Sequence, residues 1–217
     1  MGMAGLVGGL GPDSTIDYDR LIIETWKARH PSSLPRLVID ILDVNVGIRL
    51  VREDRPGLVQ YLLDSIRRLE RAGCAFAAMA ANTPHIVFDE VAAESPIPLF
   101  SIVEACADEI EARGFKRVGL LGTGFTMPAG FYPAVLDRRG IDVQVPTEHD
   151  RSWLHDRYLG ELLNGVFTDE TRAGVTRIVE RWADQGRVDA VVLAGTELPL
   201  LIRSETLACR APYRMAH

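Results

Sequence analysis

Gly5-Leu6-Val7-Gly8-Gly9 and Gly119-Leu120-Leu121-Gly122-Thr123 are two versions of one pattern, a short apolar run that ends in small residues. A second pair adds hydroxyl or amide side chains: Ala80-Ala81-Asn82-Thr83-Pro84 and Ala194-Gly195-Thr196-Glu197-Leu198. Both pairs are 114 positions apart, from 8 to 122 and from 81 to 195. Self-similarity at one fixed offset points to duplication. The chain therefore reads as two halves. Each opens with a strand into a small-residue turn, and each carries a later strand that ends in a small-plus-hydroxyl turn.

The runs around these pairs support the same plan. Leu37–Leu42, Ala75–Ala80, Ile97–Phe100, Ile141–Val145 and Ala190–Leu193 are short apolar stretches, mostly continuous rather than alternating. Continuous runs suit strands buried on both faces, hence a parallel sheet. Between them lie amphipathic stretches. Leu58, Tyr61, Leu62, Ser65, Ile66 and Leu69 share one helical face, and Gly73 ends that helix. The expected fold is α/β, with two pseudo-symmetric lobes that are each a short parallel sheet flanked by helices. Boundaries are expected near Phe100-Ser101 and within 199–205.

Composition narrows the function. Apolar residues make up 47% and charged residues 25% of the 217, which fits a globular chain rather than a disordered one. Lys plus Arg total 24 against 30 Asp plus Glu, a net charge of −6 with no basic surplus for nucleic acid. No run approaches the ~18 apolar residues of a membrane span. Met1–Leu10 has no cationic region, so no secretory signal is expected. Cys74, Cys106 and Cys209 fit neither a disulfide framework nor a zinc pattern, and the five histidines show no metal-ligand spacing. A cytoplasmic chain without metal is the expectation. Cys74 and Cys106 read as core thiols.

In an open α/β sheet, ligands bind beyond the carboxyl ends of the strands. Four turns fall there: Gly8–Thr15, Ala81–His85, Gly122–Met127 and Gly195–Leu198. They expose backbone N–H groups ahead of helix N-termini, a geometry that holds a carboxylate or phosphate. Asn82, Thr83, Thr123, Thr126 and Thr196 add side-chain hydrogen bonds to such a ligand, or else cap the helices. The two roles are compatible. Gly8-Gly9-Leu10-Gly11 does not continue as a dinucleotide fingerprint, because Pro12 and Asp13 follow, and Pro12 fits a first helical turn. Arg49, in the loop after the second strand, has the planar fork for a substrate carboxylate, with a solvated arginine as the alternative. His85 opens a helix as a site residue or as a capping and packing one. Glu197 is either an acid/base or a carboxylate at a helix N-terminus.

Together these residues resemble the aspartate/glutamate racemase superfamily, in particular its aspartate racemase branch. That branch carries a Gly-Gly turn followed by Ser-Thr, matched by Gly8-Gly9-Leu10-Gly11-Pro12-Asp13-Ser14-Thr15. Its Cys-Asn-Thr-x-His is matched by Ala81-Asn82-Thr83-Pro84-His85. Its Leu-Leu-Gly-Thr-x-x-Thr-Met is matched in full by Leu120–Met127, and its Gly-Cys-Thr-Glu-Leu by Ala194–Leu198. The resemblance covers roughly residues 4–205. It implies a cofactor-free racemisation in a cleft between the lobes, with one cysteine from each lobe exchanging the Cα proton. Hydroxyl and N–H turns would stabilise the enediolate-like intermediate.

This sequence departs from the pattern at both cysteine positions, Ala81 and Gly195, which carry no titratable group. At the site of a second-lobe lysine common in the family stands Trp153, with Arg157 nearby. The implied lobes are residues 1–100 plus 206–217, and 101–205. The tail from Leu207 to His217 lacks a strand-like run, which would leave the first lobe short of an element. The implied function is an amino-acid racemase-like isomerase that takes a small amino acid or dicarboxylate. His85, Glu197, Asp13 and Thr83 are the remaining candidates for proton transfer. The alternatives are a catalytically degenerate carboxylate sensor and a related isomerase or lyase. No cofactor, metal, nucleic acid or membrane is expected, and a homodimer is.

Overall fold

The computed structural model describes residues 2–202 and 214–216. The chain divides into two units, Met1–Ile102 and Val103–His217. In the first, β1 (Met3–Gly8), α1 (Pro12–Arg29), β2 (Leu37–Ile41), α2 (Val44–Glu53), α3 (Arg55–Arg71) and β3 (Cys74–Met79) follow in order. A 3-10 turn (Thr83–Val87), α4 (Phe88–Glu94) and β4 (Leu99–Phe100) close the unit. All strand pairs are parallel, in the order β2-β1-β3-β4.

The local rules are visible in the sequence. Pro12 starts α1, where its missing N–H costs nothing, with Asp13 in the first turn and Lys27 and Arg29 in the last. The Asp54 side chain caps α3 by accepting from the Gly57 N–H. Gly73 ends α3 at φ +89°, a conformation glycine adopts without strain. The face expected from the sequence is buried except for Tyr61, which is half-buried, and Val59 and Leu63 widen it. Ser65 sits on that apolar face because its hydroxyl donates to Asp40 of β2 at 2.6 Å, beside a bond from Arg68 at 2.7 Å. By contrast, α1 buries only Ser14 and Thr15, and Ile16 is 69% exposed.

The second unit continues with α5 (Ile102–Ala112), whose first residue lies at the division, then β5 (Arg117–Gly122), α6 (Phe131–Asp137) and β6 (Asp142–Gln144). Next come α7 (Glu148–Gly160), a 3-10 turn (Leu162–Asn164), α8 (Asp169–Asp184), β7 (Ala190–Ala194), α9 (Leu198–Leu201) and β8 (Arg214–Ala216). The order is β6-β5-β7-β8, again all parallel. Val175, Ile178, Val179 and Trp182 of α8 join Val191 and Leu193 of β7 in one core. Trp182 lies so close to Gly119 that a Cβ there would stand 2.4 Å from its ring.

The sheet orders explain the repeat. β1 and β5 hold the same place in their sheets, as do β3 and β7. Positions 8 and 122 thus end equivalent strands, and positions 81 and 195 follow equivalent strands. One expectation is corrected. Arg214–Ala216 forms a strand against β7 and so belongs to the second unit, whereas the sequence put this tail with the first lobe and saw no strand in it. Three residues are too short a run to show a pattern. The rest of that tail, 206–213 and 217, lies outside the described residues.

Leu62 has no solvent exposure in the core of the first unit. Leu62→Ala should lower the unfolding free energy by about 2–5 kcal/mol in denaturant titration. Ile16→Ala, at the exposed position, should change it by no more than about 0.5 kcal/mol.

Candidate active site

The turns that follow β1 and β3 lie side by side at the carboxyl end of the first sheet, since Val7 pairs with Met79. In the first of them Gly9 has φ +83°, and a Cβ would stand 2.2 Å from the Leu42 carbonyl oxygen. Its N–H donates to Thr15 Oγ1 at 2.9 Å, and the Thr15 and Ser14 hydroxyls both donate to the Gly11 carbonyl. These hydroxyls brace the turn from inside, as helix caps do. In the second turn Ala81, Asn82 and His85 are buried and Thr83 is half-buried.

His85 is fixed by its two ring nitrogens. Nε2 accepts from the Ile102 backbone N–H at 3.3 Å, so the proton sits on Nδ1 and is donated to the Ala81 carbonyl at 2.9 Å. The ring stacks on Phe88 with centroids 5.1 Å apart. Burial disfavours the imidazolium and holds the pKa down at about 4, although bonds to the Ala81 and Asn82 backbone oppose the shift. His85 is therefore a neutral pin through the turn that holds position 81, with both nitrogens committed.

The second unit has the corresponding pair of turns after β5 and β7, where Gly122 pairs with Ala194. Thr123 Oγ1 accepts from the Phe125 and Thr126 N–H groups at 3.2 and 3.1 Å and lies 3.0 Å from Thr126 Oγ1. The Gly124 N–H donates to His155 Nδ1 of α7 at 3.1 Å, and Phe125 meets that imidazole edge-on at 4.9 Å. In the last turn Glu197 is only 2% exposed. The Tyr158 hydroxyl of α7 donates to Glu197 Oε2, and Thr196 Oγ1 donates to the same oxygen at 3.2 Å. The Glu197 N–H returns a bond to the Tyr158 oxygen at 3.3 Å. Burial first, and the neighbouring carboxylate second, push the Tyr158 hydroxyl well above its ordinary value, so it stays protonated.

A family model described as Asp/Glu/Hydantoin racemase matches residues 7–212, which include all four turns. The chain belongs to that family. A broad specificity amino-acid racemase, RacX, of Bacillus subtilis (strain 168) is 28% identical over 149 residues, 65% of this chain and 63% of its own length. A glutamate racemase of Aquifex aeolicus (strain VF5) is 27% identical over 168 residues, 76% of this chain and 61% of its own. The matches span about three fifths of the length of these curated relatives. Among solved structures, an aspartate racemase homologue from Pyrococcus horikoshii OT3 is similar, with TM-score 0.82 and 32% identity over 100% of this chain and 93% of that one.

In this racemase-family chain the expected residues divide by unit. Ala81, Asn82, Thr83 and His85 cluster in the first, and Thr123, Thr126, Gly195, Thr196 and Glu197 in the second. Arg49 is corrected from a loop to an exposed place within α2, since Asp43 caps a helix the sequence reading did not see there. Burial raises the thiols of Cys74 and Cys106, the latter to about 12, so both are core thiols; Cys209 lies outside the described residues. Trp153 is spent on packing, with Gly174 leaving room for its ring, and Arg157 pairs with Glu161 and Glu170. Among the described residues no group of three His, Cys, Asp or Glu is placed to hold a metal ion.

Tyr158 and His155 escaped the sequence reading. The signal for Tyr158 was indirect: a glycine at 195 vacates volume that a close-packed interior must refill. A Cβ at 195 would stand 2.6 Å from both Cε2 and the hydroxyl of Tyr158, and a ring cannot fold out of the way. Gly195→Ala should therefore cost about 1–3 kcal/mol in stability. A double-mutant cycle should keep that cost in the Tyr158→Phe background and lose it in the Tyr158→Leu background.

The pinned His85 gives a second expectation. Its pKa is about 4 when folded, against the ordinary 6.5. The unfolded chain takes up a proton first as pH falls, so this stabilisation is complete above about pH 6.5 and drains toward pH 4. Between pH 7.5 and 5 the protein should lose about 2 kcal/mol more unfolding free energy than its His85→Gln variant, measured with denaturant at each pH.

Proposed function

We propose that the chain is a cytoplasmic, cofactor-independent amino-acid racemase-like isomerase that binds a small amino acid or dicarboxylate and moves its Cα proton without thiols at positions 81 and 195. The observation that carries this reading is the Glu197 carboxylate, held out of water by two hydroxyl donors in a turn at the carboxyl end of a parallel sheet. A buried carboxylate is a stronger base than an exposed one, as removal of an unactivated α-hydrogen requires. Of the four candidates for proton transfer, His85 is committed to the fold, Asp13 is exposed and Thr83 carries only an aliphatic hydroxyl, a far weaker base than a carboxylate, so Glu197 is assigned the role. Asn82, Thr83, Thr123, Thr126 and Thr196 are assigned to the ligand. Family membership and the names of the relatives support the substrate class.

The same reading takes the protein as a homodimer. Leu21 of α1 and Ile41 on the edge strand β2 are 44% and 65% exposed, apolar side chains that a second copy would cover.

A second reading, a carboxylate-binding protein without turnover, is favoured by the inert side chains of Ala81 and Gly195. Calorimetry with the enantiomers of aspartate and glutamate and with malate should find one ligand with a dissociation constant between about 1 μM and 1 mM. Incubation of that ligand in deuterium oxide should place deuterium at Cα by mass spectrometry. Binding without exchange would favour the second reading, and no binding at all would end both.

A further inference from the structure

Position 195 offers no side chain, yet the volume beyond its Cα is filled. The phenol of Tyr158 stands where a side chain at 195 would go, with Cε2 and the hydroxyl 2.6 Å, and Cζ 2.9 Å, from the Cβ that glycine lacks. That hydroxyl is bonded to a carboxylate two residues further along the same turn. Glycine at 195, a large ring at 158 and a buried acid at 197 thus form one arrangement, in which each member needs the other two. Glycine admits the ring, the ring brings a hydroxyl to the acid, and the acid gains the donor that its burial demands.

We propose that Tyr158 and Glu197 act together as the proton-transfer unit at this end of β7, with Glu197 as the base and the Tyr158 hydroxyl as the relay between it and the Cα–H of a bound amino or hydroxy acid. The proposal deepens the reading above and rests on it. In the step, the substrate C–H bond breaks and its proton forms a new bond to the Tyr158 oxygen. The proton that Tyr158 already carries passes along the existing hydrogen bond to Glu197 Oε2. The electron pair stays on the substrate carbon, spread into the neighbouring carboxylate; the protons held by Tyr158 and Glu197 exchange with solvent in that state, and the relay run backwards then delivers a solvent proton to the carbon. No oxidant, metal or cofactor enters the balance.

The direction of the relay follows from electrostatics. A phenolate beside Glu197 would place two anions together in a buried site, so Tyr158 keeps a proton throughout and only changes which one. The base charge starts on Glu197, where two hydroxyls hold it. Ala81, at the equivalent place in the first unit, has no titratable group.

The test uses the full chain with whichever acid binds by calorimetry, following deuterium incorporation at Cα in deuterium oxide. Tyr158→Phe keeps the ring beside Gly195 and removes only the hydroxyl; Glu197→Gln keeps a hydrogen-bonding oxygen and removes the base. Each should slow exchange by at least about 100-fold, with affinity changed by less than about 3-fold. Exchange by either relay variant at the wild-type rate overturns the relay. So does a wild-type protein that binds its acid and exchanges nothing, a result that leaves carboxylate binding standing. Failure of the wild type to bind any acid overturns the functional reading and the relay together. If Tyr158→Phe does not fold by circular dichroism, Glu197→Gln decides alone.

Discussion

A carboxylate removed from water must find hydrogen-bond donors or give up its charge, and the second unit is arranged around that requirement at Glu197. Two hydroxyl donors reach it from different places. Thr196 is the preceding residue in the turn, while Tyr158 reaches across from α7. The reach needs a gap in the wall, and Gly195 is the gap. Removing any one member therefore disturbs more than one contact, since the ring fills space and carries the hydroxyl at once.

The two units use similar turns for different ends. In the first, the imidazole of His85 ties the Ala81 carbonyl to the Ile102 N–H, and the hydroxyls of Ser14 and Thr15 close on the Gly11 carbonyl. Those three side chains are consumed by the backbone. In the second, His155 and Thr123 do similar bracing for the turn after β5, but the turn after β7 keeps a charged group at its centre. The same strand order occurs in both units, and a buried carboxylate stands in the turn after β7 of the second.

The fold was open to reading from the sequence because its signals are local and repeated. Continuous apolar runs marked the buried parallel strands, Pro12 and Gly73 marked helix ends, and the common offset of positions 8 and 81 marked equivalent strand ends. Helix α2 was missed because Val44–Glu53 follows its cap, Asp43, without a strong break after β2, and so Arg49 was misplaced. At the site, the turns were legible and the partners of their side chains were not. Whether His85 is a pin or an acid depends on the Ile102 N–H 17 residues away, and the identity of the group beside Gly195 depends on a helix 37 residues upstream. Such long-range pairings leave no periodic trace.

Helix α7 carries three of the side chains that these contacts depend on. Trp153 lies against Gly174, His155 holds the turn at Gly124, and Tyr158 reaches Glu197. Successive residues of an α-helix are turned about 100° from one another. Insertion or loss of one residue between 153 and 158 would thus swing Tyr158 away while Trp153 kept its seat. The angular phase of one helix is shared by the packing of Trp153 and the hydrogen bond from Tyr158 to Glu197, so drift in this segment is confined to exchanges of side chain that leave its length untouched.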